Sequence, residues 1–267
     1  MTDIVRIDDG MALTAMAALD GLVAGGVADH THLPPLWHWV YFLERPTQAE
    51  LGPDGHPRVG RPTPPAPGLR RMFAGGRVTT HSLLEIGVPA RMRSEVISSV
   101  EKEGRSGRLW FVTVRNTYSQ GGVDRIVEER DIVYRPAAPV DAAPAPSTKS
   151  PAVAGPEIVD APGLDLAIDP TVLFRFSALT YNAHRIHYDL SWASHEGYDG
   201  LVVHGPLQAL MLGELARRGG RDLLGATFAY RLVSLFVDGR VLRARHGSTG
   251  DVVLDDQGVV TARSTLN

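Results

Sequence analysis

Alanine, leucine and methionine recur at helical density over residues 11–24, with Thr14 and Asp20 on the rim, and this spacing predicts a helix. Residues 36–43 (LWHWVYFL) are aromatic and largely apolar and predict a buried strand or short helix. Residues 46–68 are rich in proline and glycine, which sustain neither ladder nor helix, and read as a loop. Strand patterns follow at 78–85, 91–103, 108–117 and 125–134, with turn signals at Gly104–Gly107 and Gly121–Gly122; together they predict an antiparallel meander. Residues 137–156 (AAPVDAAPAPSTKSPAVAGP) hold almost no large apolar side chain. Such a stretch cannot bury enough surface to fold alone and reads as a linker. Beyond it lie an apolar segment at 170–179 and a polar, histidine-rich segment at 181–204. Residues 206–218 (PLQALMLGELARR) then have helical spacing, with Pro206 at the first helical position and Gly219–Gly220 past the end. Strand-like runs at 226–237, 240–246 and 258–265 close the chain.

The pattern predicts an α+β chain of two β-rich halves, 1–136 and 157–267, each a sheet wrapped around one apolar helix and joined by the 137–156 linker. A chain of 267 residues is long enough for a real core without staples. Cysteine is absent, which removes disulfides, thiolate metal sites and cysteine nucleophiles. The net charge is −3 and no basic stripe dominates, so nucleic acid is not an expected partner. Lys102 and Lys149 are the only lysines among 27 basic residues, so arginine carries nearly all positive charge and Schiff-base chemistry has few candidates. The apolar stretch 11–28 is broken by Asp20 and three glycines and lacks a basic leader. It reads as an amphipathic helix rather than a signal or membrane segment, and the expected location is the cytoplasm.

The densest polar cluster is Tyr181-Asn182-Ala183-His184-Arg185-Ile186-His187-Tyr188-Asp189, followed by His195 and His204; four of the ten histidines fall within 21 residues. Three chemistries fit these residue types. His184 and His187, with Asp189 near, are a short metal-ligand spacing without an HExxH motif. Ser177 lies upstream as a nucleophile candidate, but no GxSxG surrounds it. General acid–base work on a thioester uses Asn182-x4-His187 together with His204-Gly205-Pro206 opening an apolar helix. A histidine exchanges protons near neutral pH, a carboxamide orients water, and a helix N-terminus offers free N–H groups to a developing oxyanion.

The segment from Phe176 to Asp189 (FSALTYNAHRIHYD) resembles the hydratase segment of MaoC-like hot-dog proteins, closest to their hydroxyacyl-thioester dehydratase type 2 branch. Gly197 to Pro206 (GYDGLVVHGP) continues the likeness. So do Pro35-Leu36-Trp37-His38-Trp39, Asp54-Gly55-His56-Pro57, Arg70 to Gly76 (RRMFAGG) and Glu103 to Gly107 (EGRSG) in the first half. The resemblance implies a double hot-dog fold in which one half is catalytic and the other shapes the acyl and CoA pocket. It implies reversible hydration of an enoyl-CoA, with methyl-branched dicarboxylic acyl groups such as mesaconyl or itaconyl as the substrate class. Alternatives are a dehydratase for plain fatty acyl chains and a non-catalytic acyl-CoA-binding subunit. No metal and no cofactor is implied beyond the coenzyme A of the substrate, and a homodimer is compatible with it. In the broader MaoC pattern an Asp opens the motif and Asn-Pro precedes the His; here Asn182 stands at the Asp position and His184-Arg185 replace Asn-Pro. Proton transfer then rests on His187, with Asn182 as orienter and the Gly205 amide as oxyanion donor. Tyr181, His184, Arg185, His204, Arg70, Arg71 and Arg77 are the candidates for contact with substrate or CoA.

Overall fold

The computed structural model describes residues 4–27, 29–58, 62, 64–66, 69–104, 107–136 and 155–267. Ten strands form one antiparallel sheet in the order β1-β3-β4-β5-β2-β7-β10-β9-β8-β6. The first half supplies β1 (Ile4–Asp8), β2 (Leu69–Thr80), β3 (Ala90–Gly104), β4 (Gly107–Gln120) and β5 (Val123–Pro136). The second supplies β6 (Leu164–Ala167), β7 (Thr227–Leu232), β8 (Val241–Arg245), β9 (Asp251–Leu254) and β10 (Val260–Leu266). The helices are α1 (Leu13–Val23), α2 (Pro170–Thr180), α3 (Leu190–His195) and α4 (Gly205–Arg218). The linker expected at 137–156 falls outside the described residues up to 154, as do Arg105 and Ser106 of the 103–107 block.

The halves meet where β2 pairs with β7, in a register running from Gly75↔Arg231 to Thr79↔Thr227. Here the chain departs from the expected 78–85 strand. β2 starts at Leu69 and ends at Thr80, with a bulge between Phe73 and Gly75. The Gly75-Gly76 pair, which by pattern argues for a break, is a requirement of the seam. A Cβ on Gly75 would stand 2.5 Å from the Tyr230 carbonyl oxygen, and one on Gly76 would stand 2.8 Å from the Tyr230 hydroxyl. Backbones can approach this closely only through glycine.

In the second half the sheet curls around α4, which runs along β7, β8, β9 and β10 and buries ten consecutive residues from Leu207 to Ala216. Among the described residues the first half has no matching α-helix in its sheet. α1 packs instead on α2 and on the short 3-10 helix Trp37–Val40. That 3-10 turn is the plug of the first half, and all four of its residues are buried. It is anchored by Glu128 on β5, whose buried carboxylate accepts from Trp39 Nε1 (2.7 Å), Tyr118 OH (2.7 Å), Asn116 Nδ2 (3.2 Å) and Arg130 Nε (2.7 Å). A buried charge persists only when paired and hydrogen-bonded in this way. Trp37 Nε1 donates to Glu214 on α4 at 2.9 Å and joins the two plugs. The helix expected at 11–24 is α1, but the 3-10 turn rather than α1 plugs the first half, and the second half carries α2 and α3 besides the expected α4.

Candidate active site

A cavity of about 1020 Å³ opens between the halves. From the second half it is lined by Tyr181, Asn182, His184, His187, His204, Gly205 and Gln208. From the first half it is lined by His56, Arg70, Arg71, Phe73, Asn116, Tyr118 and Arg130.

α2 begins with Asp169 capping Val172 N–H and Pro170 in its first turn, and it stops at Tyr181, whose φ of +51° is left-handed. Tyr181 N–H returns to Ala178 O and Asn182 N–H to Ser177 O (2.8 Å), a glycine-type stop made by a tyrosine. The reversal puts Asn182 at the cavity wall, where its Oδ1 accepts His184 N–H at 3.1 Å. Among the described residues no hydrogen bond engages its carboxamide N–H₂.

Three residues on, the 3-10 turn Arg185–His187 delivers a buried His187. Its Nδ1 lies 2.7 Å from Val202 O. A carbonyl only accepts, so Nδ1 carries the proton and Nε2 is the basic nitrogen. The His204 ring stacks on it, with centroids 3.6 Å apart and an 18° interplanar angle. His204 is fixed in turn by Ser177 Oγ at 2.9 Å. Burial pushes the His187 pKa down to about 3; nearby His184 and His56 add to this, and the Val202 bond opposes it. Burial likewise pushes His204 well below its ordinary value. His187 is therefore neutral near pH 7, and the buried imidazolium it would form is a stronger acid than an ordinary one.

His204 is also the N-cap of α4. Leu207 and Gln208 N–H bond back to His204 O, and Pro206 has no N–H. Among the described residues no acceptor takes the Gly205 N–H, which stands at the positive end of a 14-residue helix lining the cavity. A side chain at 205 would collide with Leu232 and stand 3.2 Å from Phe73.

The first half enters the site through residues 53–56. Arg185 N–H donates to Asp54 O (2.8 Å), and Arg185 Nη1 donates to Pro53 O (3.0 Å). Gly55, at φ +86°, lies so close to the Ala183 carbonyl that no Cβ fits. This clamp stacks His56 on His184, with ring centroids 3.9 Å apart. The block Asp54-Gly55-His56-Pro57 carried the signal in sequence, but without a partner in view it had no assigned role. Glu196 and Tyr198 were missed as well. Glu196 lies 2.5 Å from Arg70 and 3.7 Å from His184 Nε2. Burial opposes its ionisation, yet His184 and Arg70 hold its pKa below the usual range.

The remaining candidates separate by placement. Arg70 lines the cavity but is engaged by Glu196 and by the Tyr198 hydroxyl. Arg71 lines it too and, among the described residues, makes no hydrogen bond or ion pair. Arg77 does not reach it: it lies exposed and paired with Glu129 (2.5 Å) and Asp131 (3.5 Å). Arg185 is also off the lining, held by Asp189 at 2.6 Å and stacked over Trp192. Ligand atoms of Asp54, His56 and His184 lie within 4.8 Å of one another, a set of two histidines and a carboxylate able in principle to take a cation. The two rings face each other with a 33° tilt, so their in-plane lone pairs run alongside rather than converge. A metal would require them to rotate, and His187 is not part of the set.

A carboxamide and a tautomer-fixed imidazole beside a free helix N-terminus, set in a sheet curled around that helix, define a hot-dog hydratase or dehydratase. The chain matches the hydroxyacyl-thioester dehydratase type 2 family over residues 36–238, and it belongs to that family. It is 50% identical over 220 residues to the mesaconyl-C(4)-CoA hydratase of Chloroflexus aurantiacus, covering 81% of this chain and 76% of the relative. A shorter stretch of 89 residues is 34% identical to the mitochondrial hydroxyacyl-thioester dehydratase type 2 of Schizosaccharomyces pombe, covering 32% of this chain and 30% of that one. In fold it is similar to HtdX of Mycobacterium tuberculosis, with a TM-score of 0.65, 12% identity and 99% of each chain covered. A MaoC-like dehydratase of Phytophthora capsici aligns with a TM-score of 0.67 at 12% identity, over 100% of this chain and 94% of that one. The double hot-dog architecture expected from the sequence is the observed one.

Proposed function

We propose that the chain adds water across the double bond of a methyl-branched dicarboxylic enoyl-CoA, with mesaconyl-C4-CoA as substrate and citramalyl-CoA as product. The observation that carries the chemistry is the His187 Nδ1–Val202 O bond, because it fixes the basic Nε2 on the cavity side of the ring. The acyl class is supported by the 50% identical relative.

The thioester carbonyl accepts the Gly205 N–H, which draws charge from the alkene and makes the β-carbon electrophilic. Water donates one hydrogen to His187 Nε2 while the Asn182 carboxamide N–H₂ holds it in place. Oxygen attacks the β-carbon, the alkene π pair moves to the α-carbon as an enolate, and the proton goes to His187. The imidazolium then returns that proton to the α-carbon, and water has been added with all atoms accounted for. Burial weakens Nε2 as a base but makes its conjugate acid strong, so the return step is favoured. The negative charge growing on the enolate supports the imidazolium in between. These steps call on no metal, redox group or cofactor beyond coenzyme A.

The test is steady-state hydration of mesaconyl-C4-CoA, itaconyl-CoA and crotonyl-CoA in parallel. The expected order puts mesaconyl-C4-CoA first in kcat/KM. Equal or better use of crotonyl-CoA would refute the dicarboxylic assignment, and inertness toward all three would refute the hydratase.

A further inference from the structure

Of the three arginines singled out on β2, two are spoken for. Arg77 faces solvent among acids, and Arg70 is tied to Glu196 and Tyr198. Arg71 differs on three counts. It lines the cavity, it is half-buried, and no described residue gives it a counter-charge by hydrogen bond or ion pair. Glu44, whose charge favours the Arg71 cation, is paired with Arg6 at 3.1 Å. Arg130, which lines the same cavity, is paired with Glu128 at 2.7 Å. Burial and the like charges of Arg130 and Arg6 both act against the Arg71 cation. A guanidinium so placed is held ready for an anion from outside the chain.

Strand geometry says where that anion sits. Arg71 and Phe73 are two apart on β2, before the bulge, and share a face. They pair with Tyr134 and Ile132, whose side chains are both buried on the inner face of β5. The Phe73 ring borders Gly205, 3.2 Å from where a Cβ would stand. Arg71 is one pleat, about 6.6 Å, further into the first half along the same inner face. A thioester oxygen on the Gly205 N–H directs the acyl group past Phe73 toward Arg71. A four-carbon dicarboxylic backbone spans that interval with its free carboxylate leading.

We propose that Arg71 is the specificity-determining residue for the free carboxylate of the acyl group. This rests on the dicarboxylic hydratase reading above and adds the residue that makes the choice. The role extends beyond affinity. In mesaconyl-C4-CoA the free carboxylate is attached to the carbon that water attacks. Its charge feeds electron density there and repels the incoming oxygen. A guanidinium bound to it removes that effect, so Arg71 raises kcat as well as lowering KM. A monocarboxylic acyl-CoA leaves the guanidinium desolvated and unpaired, which discriminates against it as a site built for a polar group rejects a ligand lacking one.

The experiment measures kcat/KM for mesaconyl-C4-CoA and crotonyl-CoA in the parent, Arg71→Met and Arg71→Lys, with the ratio between substrates as readout. The expected result is a fall in the ratio of about 10²-fold or more in Arg71→Met, with kcat and KM for mesaconyl-C4-CoA both worsening. Arg71→Lys recovers only part, because a point charge does not reproduce the planar fork. Guanidinium chloride added to Arg71→Met restores mesaconyl-C4-CoA hydration and leaves crotonyl-CoA hydration unmoved. An unchanged ratio, with both substrates losing equally or neither losing, overturns the proposal. A parent enzyme that does not prefer mesaconyl-C4-CoA overturns the functional reading itself, before any variant is made.

Discussion

Lowering the pH from 8 to 5 should leave kcat/KM for mesaconyl-C4-CoA nearly flat. An ordinary histidine base with a pKa of about 6.5 would be only about 3% neutral at pH 5, a loss of roughly 30-fold. His187, buried and pushed down to about 3, stays about 99% neutral at that pH. The sign follows from the direction of the shift: neutral imidazole is the working form, and activity falls only as pH drops through the lowered folded-state value. The parameter to plot is kcat/KM, which reports the free enzyme, because bound substrate brings its own anionic groups near the ring. Asn182→Asp is the informative perturbation. It keeps an acceptor for the His184 N–H but adds a charge near His187, which should raise its pKa by about 1–3 units and bring the acid limb toward the measured window. Unfolding must be separated from titration. The unfolded chain binds a proton at 187 below about pH 6.5 and the folded chain does not, so burying His187 costs about 2 kcal/mol of stability between pH 7 and 5. Parent and His187→Gln, compared by urea unfolding, should differ in pH dependence by that amount. A tenfold or larger fall in the parent's kcat/KM between pH 7 and 5, with the fold intact, would show that the base has an ordinary pKa and lies elsewhere, with His184 the next suspect.

Four more outcomes are expected. His187→Ala should lose about 10²–10⁴-fold in kcat, and Asn182→Ala about 10²-fold, because the first removes the proton carrier and the second only displaces water; equal losses would contradict that division. Gly205→Ala should destabilise by about 1–3 kcal/mol in thermal unfolding and lower kcat in the surviving folded protein, since its Cβ drives Leu232 and Phe73 away from the helix N-terminus. Gly55→Ala should break the clamp at the Ala183 carbonyl and raise KM, because that contact sets His56 against His184 at the cavity wall; an unchanged KM in the folded variant would contradict it. Dialysis against a chelator should leave the hydration rate unchanged, and a loss restored by zinc or iron would point to Asp54, His56 and His184.

The parts legible in the sequence are those whose signal is local. Alternation located β3, β4 and β5, and Pro206 with Gly219 bracketed α4 to within a residue. The hydratase segment was legible because its residues are adjacent in the chain as well as in space. The parts that were not legible depend on a partner far along the chain. β2 lacks alternation where it carries Arg70-Arg71 and the glycine pair, because its two neighbours, β5 and β7, lie some 55 and 150 residues away and dictate the glycines. β1, β6 and β9 are four- and five-residue strands, too short for a period to register. The 3-10 plug Trp37–Val40 looks like any aromatic run until Glu128, 89 residues from Trp39, supplies its anchor. Arg77 and Arg71 are alike in sequence. The bulge at Phe73–Gly75 and the side of the sheet each faces decide that one meets Glu129 and the other the cavity.

The difference between the two plugs explains where the cavity is. In the second half α4 covers the inner face of its strands and buries ten residues in doing so. In the first half a four-residue 3-10 turn covers only the part of the inner face around Tyr118 and Glu128. Beyond it Val112, Val114, Ile132 and Tyr134 form a small cluster of their own, separate from the main core. Of these, Val114 and Ile132 line the cavity together with Asn116, Tyr118 and Arg130. A full helix at 37–40 would occupy that space, so the first half gives up a helix's worth of packing and gains a chamber. Its lining includes the polar groups Asn116, Arg130 and Arg71 from the first half and the α4 N-terminus from the second. The division of labour is thus set by chain length at one point. In the proposed mechanism the half that keeps its helix supplies His187 and Asn182 for proton transfer, and the half that shortens it supplies Arg71, proposed to select the acyl chain.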